Sequence, residues 1–237
     1  MFLSGLKSKN SPKKKLHWDF IYLAIAESGL QNVVSPSGAE GIWQFLPETA
    51  QSYGLEVSDQ VDERYDIEKS TEAACKYILD AKKKFGSWTL AAASFNTGMG
   101  SLDAAIKNQN ESNYYNLFLN DETSRYIFRI LALKEIMQHP KKYGYYLNKG
   151  DLYDPLIFKT VSVDSNITNL AQFAKQQGTN YKLLKYFNPW LRSSSLNSEA
   201  GKIYSIKICT DSSSTFSSKL FNDSVDVVQS LPVNETN

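Results

Sequence analysis

The chain has 237 residues, enough for one sizeable domain and a smaller one. Hydrophobic residues make up 42% and Lys+Arg (26) nearly balance Asp+Glu (25), so a core is available and the net charge of +1 gives no electrostatic case for nucleic acid. Two cysteines, Cys75 and Cys209, are too few for a disulfide framework and read as small apolar fillers. His17 and His139 carry no motif, and no apolar run is long enough to cross a membrane.

Met1 to Leu6 is too short and too polar for the core of a signal peptide, and Lys13-Lys14-Lys15 reads as a solvated run. From about Asp19 to Gln138 the pattern is helical. Phe20 to Ala26 is apolar nearly all round, the mark of a buried helix, and Gly29 offers its stop. Pro47-Glu48 opens a second helix, which Gly54 closes. Ser70 is the expected cap of a third, with Glu72 in its first turn, Lys82-Lys83-Lys84 in its last and Gly86 at its end. A short helix through Leu90 to Phe95 leads into an expected turn at Asn96-Thr97-Gly98-Met99-Gly100. Asp121-Glu122 begins a long helix with Ile127, Ile130 and Leu131 at helical spacing, stopped before Pro140.

The texture then changes. Phe158 to Val163 alternates like a strand, and Asn166 is the expected cap of a helix through Leu170 to Ala174, ended by Gly178. A second short helix runs from Tyr181 to Phe187 and stops at Asn188-Pro189; Lys202 to Ile208 is again strand-like. Strand, helix, helix, strand within about fifty residues is a separate small module. Beyond Thr210 the chain is rich in Ser, Asp and Val and reads as a loose tail.

Glu27 is the residue of most chemical interest. It follows Leu23 by one helical turn and Phe20 by two, on their apolar side, so its carboxyl is expected to be partly desolvated. It also falls at a helix C-terminus, where the dipole disfavours negative charge. Both effects raise a pKa toward the range a general acid needs near neutrality. The plainer alternative is a helix-end Glu pointing into solvent.

The surrounding residues fall into four blocks. They are Glu27-Ser28; Gly41-Ile42-Trp43-Gln44, preceded by Ser35-Pro36-Ser37-Gly38; Ser94-Phe95-Asn96; and Glu122-Thr123-Ser124-Arg125-Tyr126-Ile127. In this order they resemble the lytic transglycosylase family with a goose-type lysozyme-like catalytic fold. Val61-Asp62-Glu63-Arg64 and Ala91 to Gly98 look like its membrane-bound D type. The likeness covers roughly Asp19 to Gln138. The C-terminal module resembles a LysM domain in element order and in Tyr181 to Pro189, although Asp164-Ser165-Asn166-Ile167 and Ile208-Cys209 depart from the usual LysM sequence.

The resemblance implies a mainly α protein: a lysozyme-like, all-helical catalytic domain at 19–150, after an extension at 1–18. A small α+β (βααβ) LysM-like module at 156–210 and a flexible tail at 211–237 would follow. It implies that Glu27 is the catalytic acid/base and that Ser35, Gly41, Gln44, Phe95, Asn96 and Tyr126 contact substrate. Each has a plainer use: Ser35 as a turn residue, Gly38 and Gly41 as turn glycines, Gln44 as a polar residue on a core helix, Asn96 as a turn former, Tyr126 as a core aromatic. The family usually has Tyr at Phe95 and Ala at Ser94; the lost hydroxyl is worth about 1 kcal/mol of hydrogen bonding, with stacking kept.

An ordinary glycosidase needs two carboxylates, and no second one with an obvious partner role stands out in these blocks. Asp62 and Glu63 are read as ion-pair partners of Arg64. The resemblance therefore implies cleavage between N-acetylmuramic acid and N-acetylglucosamine of peptidoglycan, closing a 1,6-anhydro ring without water, metal or cofactor. The alternatives are a lysozyme-type hydrolase, with Asp62 placing water, and a glycan-binding protein with weakened activity. The expected partner is the peptidoglycan glycan strand, bound by a monomer. A periplasmic or cell-envelope location follows from that substrate alone.

Overall fold

The computed structural model describes residues 19–148, 151, 157–198 and 201–210. The expected N-terminal extension, its Lys13-Lys14-Lys15 run and the expected tail from residue 211 lie outside them. The chain divides into two compact units between Tyr153 and Asp154. Among the described residues the protein is mainly helical, with one small antiparallel sheet toward its C-terminal end. No described helix is long and apolar enough to cross a membrane.

The first unit is built from α1 (Phe20–Ser28), α2 (Pro47–Ser52), α3 (Ile67–Phe85), α4 (Trp88–Thr97), α5 (Met99–Gln109) and α6 (Asp121–Gln138). α1 buries Phe20, Leu23 and Ala24, and Gly29 closes it in the left-handed region, its N–H donating to the Ile25 carbonyl. α3 and α4 pack against each other, and Ala73, Ala74 and Ala81 of one and Ala91, Ala92 and Ala93 of the other are all buried. α6 packs against both α1 and α4. That packing brings the first and last long elements of the unit together.

Three local expectations are corrected here. The cap of α3 is Asp66, whose carboxylate accepts from Lys69 N–H at 2.9 Å; Ser70 lies inside the helix and is fully buried. The stretch from Asn96 to Gly100 is no open turn. Gly98 alone, at φ 83°, separates α4 from α5, and Leu102 of α5 is buried in the core. Leu131 is exposed, because the buried stripe of α6 is Thr123, Tyr126, Ile127 and Ile130, and one further residue turns about 100° away.

The second unit pairs β1 (Phe158–Val163) with β2 (Tyr204–Cys209), in register from Phe158 opposite Cys209 to Val163 opposite Tyr204. α7 (Leu170–Gln176) and α8 (Tyr181–Phe187) lie between them in sequence and pack on each other; α8 also packs on β2. The cap of α7 is Asn169, accepting from Gln172 N–H at 2.9 Å, while Asn166 accepts from Ser198 N–H at 2.8 Å. The correction is one of distance: Asn169 is adjacent to the helix start, and Asn166 faces another loop. Asn188, fully buried, accepts from Lys207 N–H at 2.7 Å and donates to the Lys207 and Leu184 carbonyls at 2.7 and 2.8 Å.

Candidate active site

Glu27 stands in the last turn of α1, and α6 lies across that helix. Tyr126 of α6, only 1% exposed, donates its hydroxyl hydrogen bond to Glu27 Oε1. Burial is the largest influence on Glu27 and pushes its pKa from 4.5 to about 7. The Tyr126 bond and the Arg129 charge pull it down, whereas the Glu122 charge adds to the rise. At neutral pH this carboxyl is poised to give a proton and to take one back. Tyr126 is itself pushed well above the ordinary tyrosine range, first by burial and then by the Glu27 charge, so it remains a neutral donor.

The neighbouring Ser28 fixes the end of α1. Its Oγ donates to the Ile42 carbonyl at 2.8 Å, tying the Glu27 turn to the Gly41-Ile42-Trp43-Gln44 segment. Gln44 is in a turn at φ 50°, not on the core helix of its plainer alternative. Its Nε2 donates to the Val33 and Gly41 carbonyls at 2.9 and 2.7 Å, and both bonds leave the amide oxygen uncommitted among the described residues. Gly41 also donates its N–H to the Val33 carbonyl at 3.1 Å. A Cβ on Gly41, at φ 80°, would stand 2.1 Å from the Arg64 carbonyl oxygen; the protein's own backbone demands glycine here.

Phe95 and Asn96 come from the end of α4. The Phe95 ring is half-buried and lies 5.1, 5.6 and 6.0 Å from the rings of Tyr77, Phe45 and Trp43. Phe95 thus supports both residues that flank Gln44. Asn96 is helical rather than a turn residue: its Oδ1 accepts from Thr123 Oγ at 2.8 Å and its Nδ2 donates to Glu122 Oε1 at 3.3 Å. Ser35 is set differently. Its hydroxyl accepts from Ala39 N–H at 2.9 Å and meets Ser37 Oγ at 3.0 Å, bonds that stay within its own turn.

The structure therefore joins Glu27 to Tyr126, Gln44 to Gly41, and Asn96 to the first turn of α6, while Ser35 makes no bond to the others. Two expectations about charge need correction. Arg64 does pair with Asp62, at 2.6 Å, and also with Glu40 at 3.1 Å, but Glu63 pairs with Lys69 instead. The Asp62 carboxylate is buried and both oxygens accept from the Arg64 side chain. A second carboxylate does bear on Glu27, and it is Glu122. Glu122 and Ser28 fall within the blocks legible in the sequence, but nothing in their spacing gives either a role. Arg129 carried no signal, because only the crossing of α1 by α6 brings it near.

In the second unit a cleft of about 370 Å³ opens beside the end of β1 and the face of α7. Asp164, Asn166, Thr168, Gln172 and Phe173 are among its walls, a mix of carboxylate, amide, hydroxyl and ring surface.

Comparison with known proteins places both units. Residues 6–118 match the transglycosylase SLT domain, and residues 159–212 match the soluble lytic transglycosylase C-terminal LysM-like domain. The chain is 32% identical over 190 residues to the membrane-bound lytic murein transglycosylase D of Escherichia coli (strain K12), and to the protein of the same name from Escherichia coli O6:H1. Each alignment takes in 78% of this chain and 41% of the relative, so the chain spans about two fifths of the length of these curated relatives. The order of the blocks around Glu27, the helical unit and the βααβ unit that follows agree with these matches: the chain carries a transglycosylase SLT domain followed by a LysM-like domain, and is homologous to the membrane-bound lytic murein transglycosylase D.

Proposed function

We propose that this protein is a peptidoglycan lytic transglycosylase in which Glu27 is the single acid/base. The observation that carries the reading is a desolvated carboxyl with its pKa near 7, hydrogen-bonded by Tyr126, inside an SLT domain. In this reading Glu27 protonates the oxygen linking N-acetylmuramic acid to N-acetylglucosamine. The acetamido group of the substrate stabilises the oxocarbenium-like carbon. Glu27, now a carboxylate, takes the proton of the muramoyl C6 hydroxyl as that oxygen closes a 1,6-anhydro ring. The proton given at the first step returns at the second, no water is consumed, and the chemistry calls for no metal or cofactor.

Tyr126 would hold the carboxyl in place during both transfers and steady its ionised form. The free amide oxygen of Gln44 and the end of α4, with Phe95 and Asn96, would bind the sugars. The LysM-like cleft would hold acetamido-sugar glycan. The substrate implies a location in the periplasm or elsewhere in the cell envelope.

One observation favours a second reading. Glu122 is a carboxylate whose charge registers at Glu27, and a hydrolase would need such a group to place water. Asp62 is poorly suited, since Arg64 takes up both its oxygens. Digestion of purified murein followed by mass spectrometry separates the readings. Anhydro-muropeptides are expected; products heavier by one water would establish hydrolysis, and no release would leave a glycan-binding protein.

A further inference from the structure

Arg64 lies outside the blocks that surround Glu27, yet its guanidinium is divided between Asp62 and the segment that carries Gln44. Nη1 donates to the carbonyls of Gly38 and Phe45 at 3.1 and 3.2 Å, and Nη2 reaches Glu40 at 3.1 Å. Nε and Nη2 together grip Asp62, at 3.0 and 2.6 Å, which fixes the plane of the fork. The contacts at Gly38, Glu40 and Phe45 bracket Gly41 to Gln44. The Arg64 carbonyl fills the space where a Gly41 side chain would stand. Arg64 is 4% exposed, so its own side of these contacts is out of water.

The other edge of the same segment is fastened to the helix of Glu27. Ser28 Oγ bonds the Ile42 carbonyl, and Gly41 N–H and Gln44 Nε2 both bond Val33, just beyond the end of α1. The chain of contacts runs from Asp62 to Arg64, to the 38–45 segment, to Ser28, and so to Glu27. We propose that Arg64 is a positioning residue: its guanidinium clamps the 38–45 segment against α1, holding Gln44 toward the sugar site and keeping water from Glu27. Only arginine supplies a planar fork able to meet a carboxylate and two divergent carbonyls at once; lysine offers a single point charge.

The inference rests on the reading of Glu27 as acid/base, and its test is chosen to stand without it. The titration of Glu27 is followed by carboxyl NMR in the full chain for wild type, Arg64→Lys, Glu40→Gln and Lys69→Met, beside thermal melts and murein kinetics over pH. The groups that act on Glu27 are Tyr126, Glu122 and Arg129, all on α6, and none is changed by these substitutions. Arg64→Lys keeps its charge, and Lys69→Met breaks the nearby Glu63 pair without touching the 38–45 segment.

A loosened segment admits water, so the Glu27 midpoint in Arg64→Lys is expected to fall by about one pH unit. The alkaline limb of kcat should move with it, and kcat should drop about tenfold from lost alignment. Glu40→Gln, altering a partly exposed partner, should shift the same way by less, and it serves if Arg64→Lys does not fold. Lys69→Met should lower the melting temperature and leave the midpoint in place. Arg64→Lys and Glu40→Gln that melt earlier with the Glu27 midpoint unmoved would overturn the proposal. A wild-type protein that releases nothing from murein, with the midpoint still shifting in Arg64→Lys, would instead sink the functional reading and spare this one.

Discussion

Tyr126 and Glu27 meet across 99 residues of sequence, the phenol of α6 donating to a carboxyl at the end of α1. The bond does two things at once: it lowers a pKa that burial raises, and it fixes the carboxyl in direction. Removing the hydroxyl in Tyr126→Phe should therefore raise the Glu27 midpoint further above about 7. The alkaline limb of the murein pH–rate profile should move to higher pH. Loss of orientation should cost kcat roughly ten- to a hundredfold, the equivalent of about 1.5–3 kcal/mol for a hydrogen bond to a charged group. A limb that moved down, or stayed, would show that the bond does not govern the titration.

Glu27→Gln should abolish turnover and stabilise the fold above neutral pH. The sign follows from the direction of the shift: a carboxyl raised from 4.5 to about 7 on folding is bound more tightly to its proton in the native state. The stability associated with that proton is complete below the unfolded pKa and is lost as pH rises through the folded one. The loss corresponds to on the order of 3 kcal/mol. Urea melts at pH 4 and pH 8 should show the variant gaining on wild type only at the higher pH, since the amide keeps a hydrogen-bond acceptor for Tyr126 without the charge.

These two residues show how far the sequence could be read. Leu23 and Phe20 placed Glu27 on a buried face, and Pro47, Gly86 and Asn188 marked element ends by chemistry local to the chain. The misreadings all involve competition between local candidates or contacts made at long range. Ser70 and Asp66 both suit a cap, and the earlier residue meets the open N–H of Lys69. Gly98-Met99-Gly100 looks like a loop by composition, yet burial of Leu102 starts a helix there at once. The bearing of Glu122 on Glu27 and the grip of Arg64 on residues 38–45 depend on tertiary packing, which no spacing rule encodes.

Phe95 is a support as much as a surface. Phe95→Ala, which empties the space between Tyr77, Phe45 and Trp43, should cost about 2–3 kcal/mol for a half-buried ring. The same change should raise KM for murein, because the turn that bears Gln44 loses its base. Phe95→Tyr should leave stability within about 1 kcal/mol and change kcat/KM by less than about tenfold, as one added hydroxyl warrants. Parallel chemical melts and murein kinetics on the two variants distinguish the ring's bulk from its missing oxygen.

The second unit has its own keystone. Asn188 satisfies both backbone groups of Lys207 and the Leu184 carbonyl from a fully buried position. Asn188→Ala takes the side-chain amide away from both backbone groups of Lys207, while the Leu184 carbonyl keeps the backbone N–H of residue 188, and should cost about 2–4 kcal/mol. Amide exchange should accelerate through β2 and α8 and remain unchanged in α1 and α6; uniform acceleration across both units would contradict the separateness of their cores.

The pairing of Phe158 with Cys209 has a consequence for how such a protein can be rearranged. The chain enters the module on one strand and leaves it on the neighbouring one, at points only about 5 Å apart. Excising everything between those two points asks the remaining chain to close a gap about one residue wide. A second copy spliced in at the same place would enter and exit through the same narrow door. The two ends of the βααβ unit therefore lie side by side, so the cut points of an excision or exchange are already close together.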